Sequence, residues 1–179
     1  MFAFGHIGIG LRLARPWTQA QTTRFVVLGT LLPDLIDKPM YYLPHLLTGK
    51  SGVELGVICG TRTFGHTMIL LSIIAMVGVW RRSPAVLAVA LGMATHLAID
   101  PASDILGHLG DPPSPDTIPG YAAIVWPAMG WQFPPAGFAT AQEHMQKSGT
   151  PSVVIGEILG LALILQDGWR WWRKRSAGT

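Results

Sequence analysis

His96 and Asp100 are the first pair in the chain whose spacing allows joint chemistry. They stand four residues apart at the end of an apolar run, and residues at that spacing share one face of a helix. An imidazole and a carboxylate on one face can bind a single metal ion together. The same pair is also found as a packed histidine beside a helix cap, so the spacing alone leaves both interpretations open.

Further imidazoles and carboxylates border the other apolar segments. Asp34 and Asp37 follow an apolar run, where acidic side chains favour a partner cation, although two carboxylates three apart can also cap a helix and a turn. His66 opens a later apolar segment, and His6 lies within the first one. Each histidine taken singly is equally compatible with a hydrogen-bonded structural residue.

Gathered at one depth, these groups would form a mixed nitrogen and oxygen site suited to zinc, or to manganese or iron. The candidate ligands are His6, Asp34, Asp37, His66, His96 and Asp100. Metal-activated water, with a pKa of about 7 at suitable zinc sites, can attack an ester or phosphoester. The candidate catalytic residues are Asp37, as proton acceptor with Asp34 as the alternative, and Arg62, as a phosphate clamp or an interfacial charge.

Composition indicates which kind of protein must position these residues. The 179 residues predict a single domain spanning 1–179. Hydrophobic residues make up 49 % and charged residues 13 %, about half of the roughly 25 % charged residues usual in soluble domains. That excludes a disordered chain and favours a membrane protein over a soluble all-helical enzyme. The single Cys59 excludes an internal disulfide and a CxxC metal site.

The hydrophobic pattern predicts an all-α membrane bundle of about five helices. The apolar segments are Phe2–Leu13, Phe25–Leu35, Phe64–Trp80, Pro84–Ile99 and Val153–Trp172. A spanning helix needs about 20 residues, with about 17 as the low end, so we expect the last three to span and the first two to be short. Irregular stretches are expected at 38–62 and, as a Pro-rich non-cytoplasmic loop, at 101–151. His108 in that loop is either an extra ligand or a surface residue.

The basic residues predict an orientation. Nine of the 13 flank the expected turns on one side: Arg12, Arg15, Arg24, Arg81, Arg82, Arg170, Arg173, Lys174 and Arg175. By the positive-inside rule that side is cytoplasmic, which places the C-terminus in the cytoplasm and all six histidines on the opposite side. This placement favours a membrane over nucleic acid as the partner of a basic chain. The C-terminal cluster can contact anionic lipid or a cytoplasmic partner, but an ordinary stop signal is the preferred interpretation.

Four short motifs in this order resemble the YdjM-like family of bacterial inner-membrane proteins. They are GHIG, LLPDxxD, RTFGHT and THLAxDP, followed by a Trp-Pro element, and they cover roughly residues 4–133. That family is described as metal-dependent hydrolases, with some members described as LexA-binding. The resemblance implies a multi-pass protein of the bacterial inner membrane, with the same six residues in its site and Arg62 beside them.

The order His, Asp, His, HxxxD is also similar to zinc-dependent phospholipase C and the P1-type nucleases. Their final HxxxE pair and N-terminal Trp ligand are not found here, which implies one or two metal ions rather than three. A Pro-rich insertion at 104–120 departs from the YdjM-like pattern.

We therefore expect a membrane-bound metal-dependent hydrolase acting on an ester or phosphoester, with a lipid or another amphiphile as substrate. The alternative is a non-catalytic membrane protein with a structural metal site or a regulator-binding role. Six candidate ligands exceed the four that a structural zinc needs, which favours catalysis. The roles of His108 and Glu157 and the oligomeric state stay open at this stage.

Overall fold

The computed structural model describes residues 3–107, 117–138, 140–147 and 149–176. The α-helices in these ranges are α1 (Ala3–Ala14), α2 (Thr23–Thr48), α3 (Met68–Trp80), α4 (Pro84–Gly107), α5 (Ala141–Lys147) and α6 (Pro151–Ser176). No strand occurs among the described residues, so the all-α prediction is confirmed. The additional helix relative to the predicted five is α5, which lies inside the expected Pro-rich loop.

Helix α2 is longer than the sequence predicted. It continues through residues expected to be irregular and ends only before Gly49, whose N–H bonds to the carbonyl of His45. Three prolines lie inside it: Pro33, Pro39 and Pro44. Each proline removes one backbone donor, but Tyr41 is fully buried and its hydroxyl donates to the carbonyl of Phe138. Tertiary packing thus stabilises the second half of the helix against its prolines, and Asp34 and Asp37 lie mid-helix.

Helix α4 also passes its predicted end at Ile99. It runs through Pro101 to Gly107, so the prediction that an irregular segment begins at residue 101 is wrong. Pro101 has no backbone N–H to donate to the helix, yet the helix continues through it. The extension aligns His96, Asp100 and Asp104 at successive four-residue steps along one face. Residues 108–116, including His108, lie outside the described residues.

The segment predicted as the first spanning helix is divided. Phe64–His66 forms a separate 3₁₀ turn, and the hydroxyl of Thr67 then caps α3 by accepting from the N–H of Leu70 at 3.1 Å. Helix α3 therefore has 13 residues, fewer than the about 17 that a span requires. Within the residues that the structure describes, two helices, α4 and α6, are long and apolar enough to cross a membrane, where the sequence predicted three.

Helices α2 and α4 pack with their backbones in contact. A Cβ atom on Gly29 would lie 2.1 Å from the carbonyl oxygen of Val89, so only glycine permits this approach. Small residues allow such close helix packing in apolar bundles. Because the backbones touch here, side chains from α4 reach the backbone of α2 directly.

Helices α1 and α6 are joined by both packing and charge. A Cβ on Gly160 would lie 2.1 Å from the carbonyl oxygen of Phe4. The Glu157 carboxylate accepts from the N–H groups of Phe4 at 3.1 Å and Gly5 at 2.9 Å, which satisfies the start of α1. Further along, Asp167 pairs with Arg12 at 3.4 Å. The acidic residues of α6 thus anchor α1 and, with it, His6.

Replacing Gly160 by alanine should destabilise the bundle. The new methyl group would overlap the α1 backbone, and overpacking of this kind costs about 1–3 kcal/mol. Gly168→Ala is the matched control in the same helix, because nothing lies within 4 Å of the Cβ position there. Alanine is the better helix former, so this control should be neutral or slightly stabilised. Thermal unfolding of both variants in detergent measures the difference; equal midpoints would contradict the close α1–α6 contact.

Candidate metal centre

Five predicted ligands converge from three helices and the turn before α3. His6, His66, His96 and Asp100 are buried, and Asp34 is partly exposed. They form two groups that share His96: His6, His96 and Asp100, and Asp34, His66 and His96. Within each group the candidate ligand atoms all lie within 4.8 Å of one another. A buried His/Asp group that can hold a metal ion is therefore present, as the sequence predicted.

Asp37 lies beside these groups but faces the turn before α3. Its carboxylate is fully buried and accepts from Thr63 N (2.7 Å), Thr63 Oγ1 (2.9 Å), Gly65 N (2.9 Å) and His66 Nδ1 (2.7 Å). A carboxylate offers about four lone-pair sites, and these contacts use them. The position of Asp37 thus fits a residue that holds His66 in place, whereas the sequence proposed it as a direct ligand.

The hydrogen bonds of two histidines fix their tautomers. His66 Nδ1 lies 2.7 Å from the Asp37 carboxylate, and His96 Nδ1 lies 2.7 Å from the carbonyl oxygen of Thr30. Both neighbours are acceptors, so each Nδ1 carries the proton and each neutral ring keeps its lone pair on Nε2. These two Nε2 atoms are 3.2 Å apart. Two lone pairs at that distance repel unless a cation lies between them.

Carboxylate oxygens of Asp34 and Asp100 lie near these two nitrogens, at distances that suit a metal site. His66 Nε2 lies 3.6 Å from Asp34 Oδ1 and 3.7 Å from Asp100 Oδ2, and His96 Nε2 lies 3.6 Å from Asp100 Oδ2. A tetrahedral ion with bonds of about 2.1 Å separates its ligand atoms by about 3.4 Å. The measured separations of 3.2–3.7 Å bracket that value, so these residues fit a divalent metal.

His6 completes the cluster from α1. Its ring stacks on that of His96, with centroids 3.8 Å apart and an interplanar angle of 13°. Its Nε2 lies 3.2 Å from Asp100 Oδ1, and its buried Nδ1 has no hydrogen-bond partner within the described part of the chain. Buried polar atoms without a partner are rare in proteins. A cation at the cluster would give Nε2 a partner in addition to Asp100.

Arg62 lies beside the cluster, held by two carboxylates. Its Nε contacts Asp100 Oδ2 at 3.0 Å, and both terminal nitrogens bond to Asp104. Burial by itself lowers the pKa of Arg62, but the charges of Asp100 and Asp104 outweigh that effect and raise the pKa above its ordinary value. The guanidinium is therefore permanently charged and oriented beside the candidate ligand Asp100.

Two positions beside the cluster were not identified from the sequence. Asp104 was assigned only to the Pro-rich insertion at 104–120, although the spacing of His96, Asp100 and Asp104 places them on one face once α4 is known to pass Pro101. The Thr30 carbonyl that orients His96 is a backbone atom, and no residue type could have indicated it.

Asp34 connects the cluster to the surface of the bundle. Its Oδ2 bonds to Lys38 Nζ at 2.6 Å, one helical turn later, while Oδ1 faces His66. Asp34 and Lys38 line a groove of about 620 Å³. The other residues lining this groove are Ala3, Leu31, Leu35, Pro39 and Tyr42. The candidate ligand Asp34 therefore lies at the inner edge of a largely apolar groove.

Comparisons of this chain with models of protein families, with curated proteins and with solved structures found no match. The resemblance to YdjM-like proteins therefore stays a prediction.

The two roles considered for Asp37 predict different metal binding. If Asp37 orients His66, Asp37→Asn should weaken metal affinity by about 10–100-fold without abolishing it. That is the usual effect of losing a residue that hydrogen-bonds to a metal-binding histidine. His96→Ala removes a donor and should abolish stoichiometric binding. His45→Ala, outside both groups, should bind like the wild type. Elemental analysis and metal titration of the purified variants give the comparison; binding lost as completely in Asp37→Asn as in His96→Ala would make Asp37 a ligand.

Proposed function

We propose that this chain is a membrane-bound metal-dependent hydrolase that cleaves an ester or phosphoester bond, with a lipid as substrate. One observation carries the proposal: the Nε2 atoms of His66 and His96 lie 3.2 Å apart, with carboxylates of Asp34 and Asp100 beside them. That arrangement is unfavourable in itself and becomes favourable when a divalent cation is bound.

The donor set supports one metal ion. His96 has committed Nδ1 to the Thr30 carbonyl, so it has a single nitrogen left for a metal. A metal ion in either group would use this same nitrogen, so the two groups cannot each hold an ion through His96. Imidazole nitrogens together with a carboxylate oxygen suit zinc best, with manganese and iron as alternatives.

The bound metal would supply Lewis-acid activation of water and of the scissile carbonyl or phosphoryl group. The chain contributes the rest. Asp37 keeps the proton on His66 Nδ1 and so keeps Nε2 available. In the catalytic role, Asp34, which is paired with Lys38 and lines the groove, would accept a proton from the attacking water instead of binding the metal, and this leaves one metal position open. Arg62 would reach a phosphate oxygen by exchanging its contacts with Asp104.

The groove supports an amphiphilic substrate. Its lining is apolar apart from Asp34, Lys38 and the Tyr42 hydroxyl, and Asp34 belongs to the candidate metal site. An acyl chain in the groove would bring an ester or phosphate group to these two charges. Helices α4 and α6, which are apolar and long enough to span, would keep the groove in reach of bilayer lipids.

A structural metal site is the second candidate. If Asp34 and Asp100 both bound the ion beside His66 and His96, the ligand shell would be closed, and a closed four-ligand shell is typical of structural zinc. Such a site would bind metal tightly without turnover. A regulator-binding membrane protein could use it to stabilise the bundle.

Asp100→Asn should abolish hydrolysis while the protein still inserts into membranes. The variant keeps the side-chain shape but removes the charge that acts on the metal and on Arg62. Asp104→Asn is the matched variant one turn later; it should retain the metal, because Asp104 contacts Arg62 and belongs to neither ligand group. Both would be assayed on phosphodiester, phosphomonoester and carboxylic-ester lipids with zinc or manganese added.

The outcomes of that assay distinguish between the proposed functions. Activity retained in Asp100→Asn on a substrate that the wild type cleaves would refute the role of Asp100. A wild type that binds metal tightly but cleaves no member of the panel would favour the structural site. A wild type without bound metal would mean that a shared proton, instead of a metal, bridges the two histidines.

We further propose a multi-pass arrangement in a bacterial inner membrane, with the C-terminus in the cytoplasm. The connection between α1 and α2 lines one cavity with the end of α6 and another with the start of α4. The basic clusters of these elements therefore share one end of the bundle. The positive-inside rule assigns that end to the cytoplasm.

Cysteine labelling tests this orientation. In a Cys59→Ser background, Gln142→Cys in α5 should react with an impermeant maleimide on spheroplasts. Ser83→Cys, in the exposed turn between α3 and α4, should react only after the membrane is opened. The reverse pattern would overturn the orientation, and recovery of the protein in the soluble fraction would overturn the membrane assignment.

A further inference from the structure

A second cavity lies at the basic end of the bundle, apart from the metal centre. It has a volume of about 1,020 Å³ and lies between the connection from α1 to α2 and the last turns of α6. Its charged lining residues are Arg15, Asp167, Arg170, Arg173 and Lys174. No residue of the proposed hydrolase site lines it.

The charges in this cavity are unbalanced. Asp167 is shared by Arg12 at 3.4 Å and Arg15 at 3.9 Å. Within the described part of the chain, no carboxylate pairs with Arg170, Arg173 or Lys174. Three cations thus face a space wide enough for a headgroup, and an anion there would relieve their mutual repulsion.

The aromatic residues indicate which anion fits. The guanidinium of Arg173 lies 4.6 Å from the ring centroid of Trp169, another residue lining the cavity. Tryptophan beside arginine is typical of the membrane interface. Beyond the cavity, α6 exposes a long apolar surface, with Ile158 and Leu165 more than half exposed. A nucleic acid would leave that surface uncovered, whereas the acyl chains of a lipid would cover it.

We propose that this cavity binds the phosphate headgroup of an anionic glycerophospholipid. Arg170, Arg173 and Lys174 contact the phosphate, and the acyl chains lie along the exposed face of α6. Basic residues in the last turn of a helix also stop its transfer across a membrane. A stop signal requires only the charges, however, and not a cavity shared with the connection from α1 to α2.

Native mass spectrometry of the full chain, released from vesicles of phosphatidylglycerol and phosphatidylcholine, tests the proposal. The wild type should retain phosphatidylglycerol preferentially. Arg170→Gln/Arg173→Gln should lower that preference roughly tenfold or more, because each basic residue near an anionic headgroup contributes to the free energy of lipid binding. Arg81→Gln/Arg82→Gln is the matched control: it removes the same charge at the same end, outside the cavity, and should keep the preference.

Three results would overturn the proposal. Equal loss of preference in both double variants would indicate general surface charge. Displacement of the lipid by millimolar inorganic phosphate would indicate a free-anion site. Tight binding of duplex DNA without any lipid preference would indicate a nucleic-acid surface. Thermal unfolding checks that the variants fold; if the cavity double variant does not, Arg173→Gln and Arg82→Gln provide the same comparison with one charge each.

Discussion

The buried carboxylate of Asp37 is the group on which the geometry of the candidate metal centre depends most. It ties a loop turn to a mid-helix position of α2 through four hydrogen bonds, one of which sets the proton on His66. An unpaired carboxylate at that depth would be costly, so the turn can dock in only one way. The position of His66 follows from this docking, and the approach of His96 follows from the contact between α2 and α4.

The acidic residues of α6 show how an apolar helix tolerates charge. Glu157 and Asp167 reduce the hydrophobicity of α6 when it is considered alone. In the bundle, Glu157 accepts hydrogen bonds from the backbone N–H groups at the start of α1, and Asp167 forms an ion pair with Arg12. The charges are thus partnered contacts between two helices, which is how ionisable groups persist in apolar segments.

Much of the site was predictable because its residues mark the ends or faces of apolar segments. Five of the predicted ligands meet without any of them having been used to define the helices. The extents of α2 and α4 were not predictable, because internal prolines are read as breakers when tertiary packing is unknown. The role of Asp37 depends on which hydrogen-bond donors surround it in the fold. The acceptor for His96 is the backbone carbonyl of Thr30, and every residue type has such a carbonyl. Neither feature can therefore be predicted from side-chain identities.

The contact between α1 and α6 joins residues about 150 positions apart. Synthesis of Glu157, which fixes the start of α1, follows that of His6 by about 150 residues. Helix α1 lacks this partner until α6 has been synthesised, so His6 is fixed after the other candidate ligands have been made. A chain that stops before α6 would carry the other candidate ligands without the helix that anchors His6.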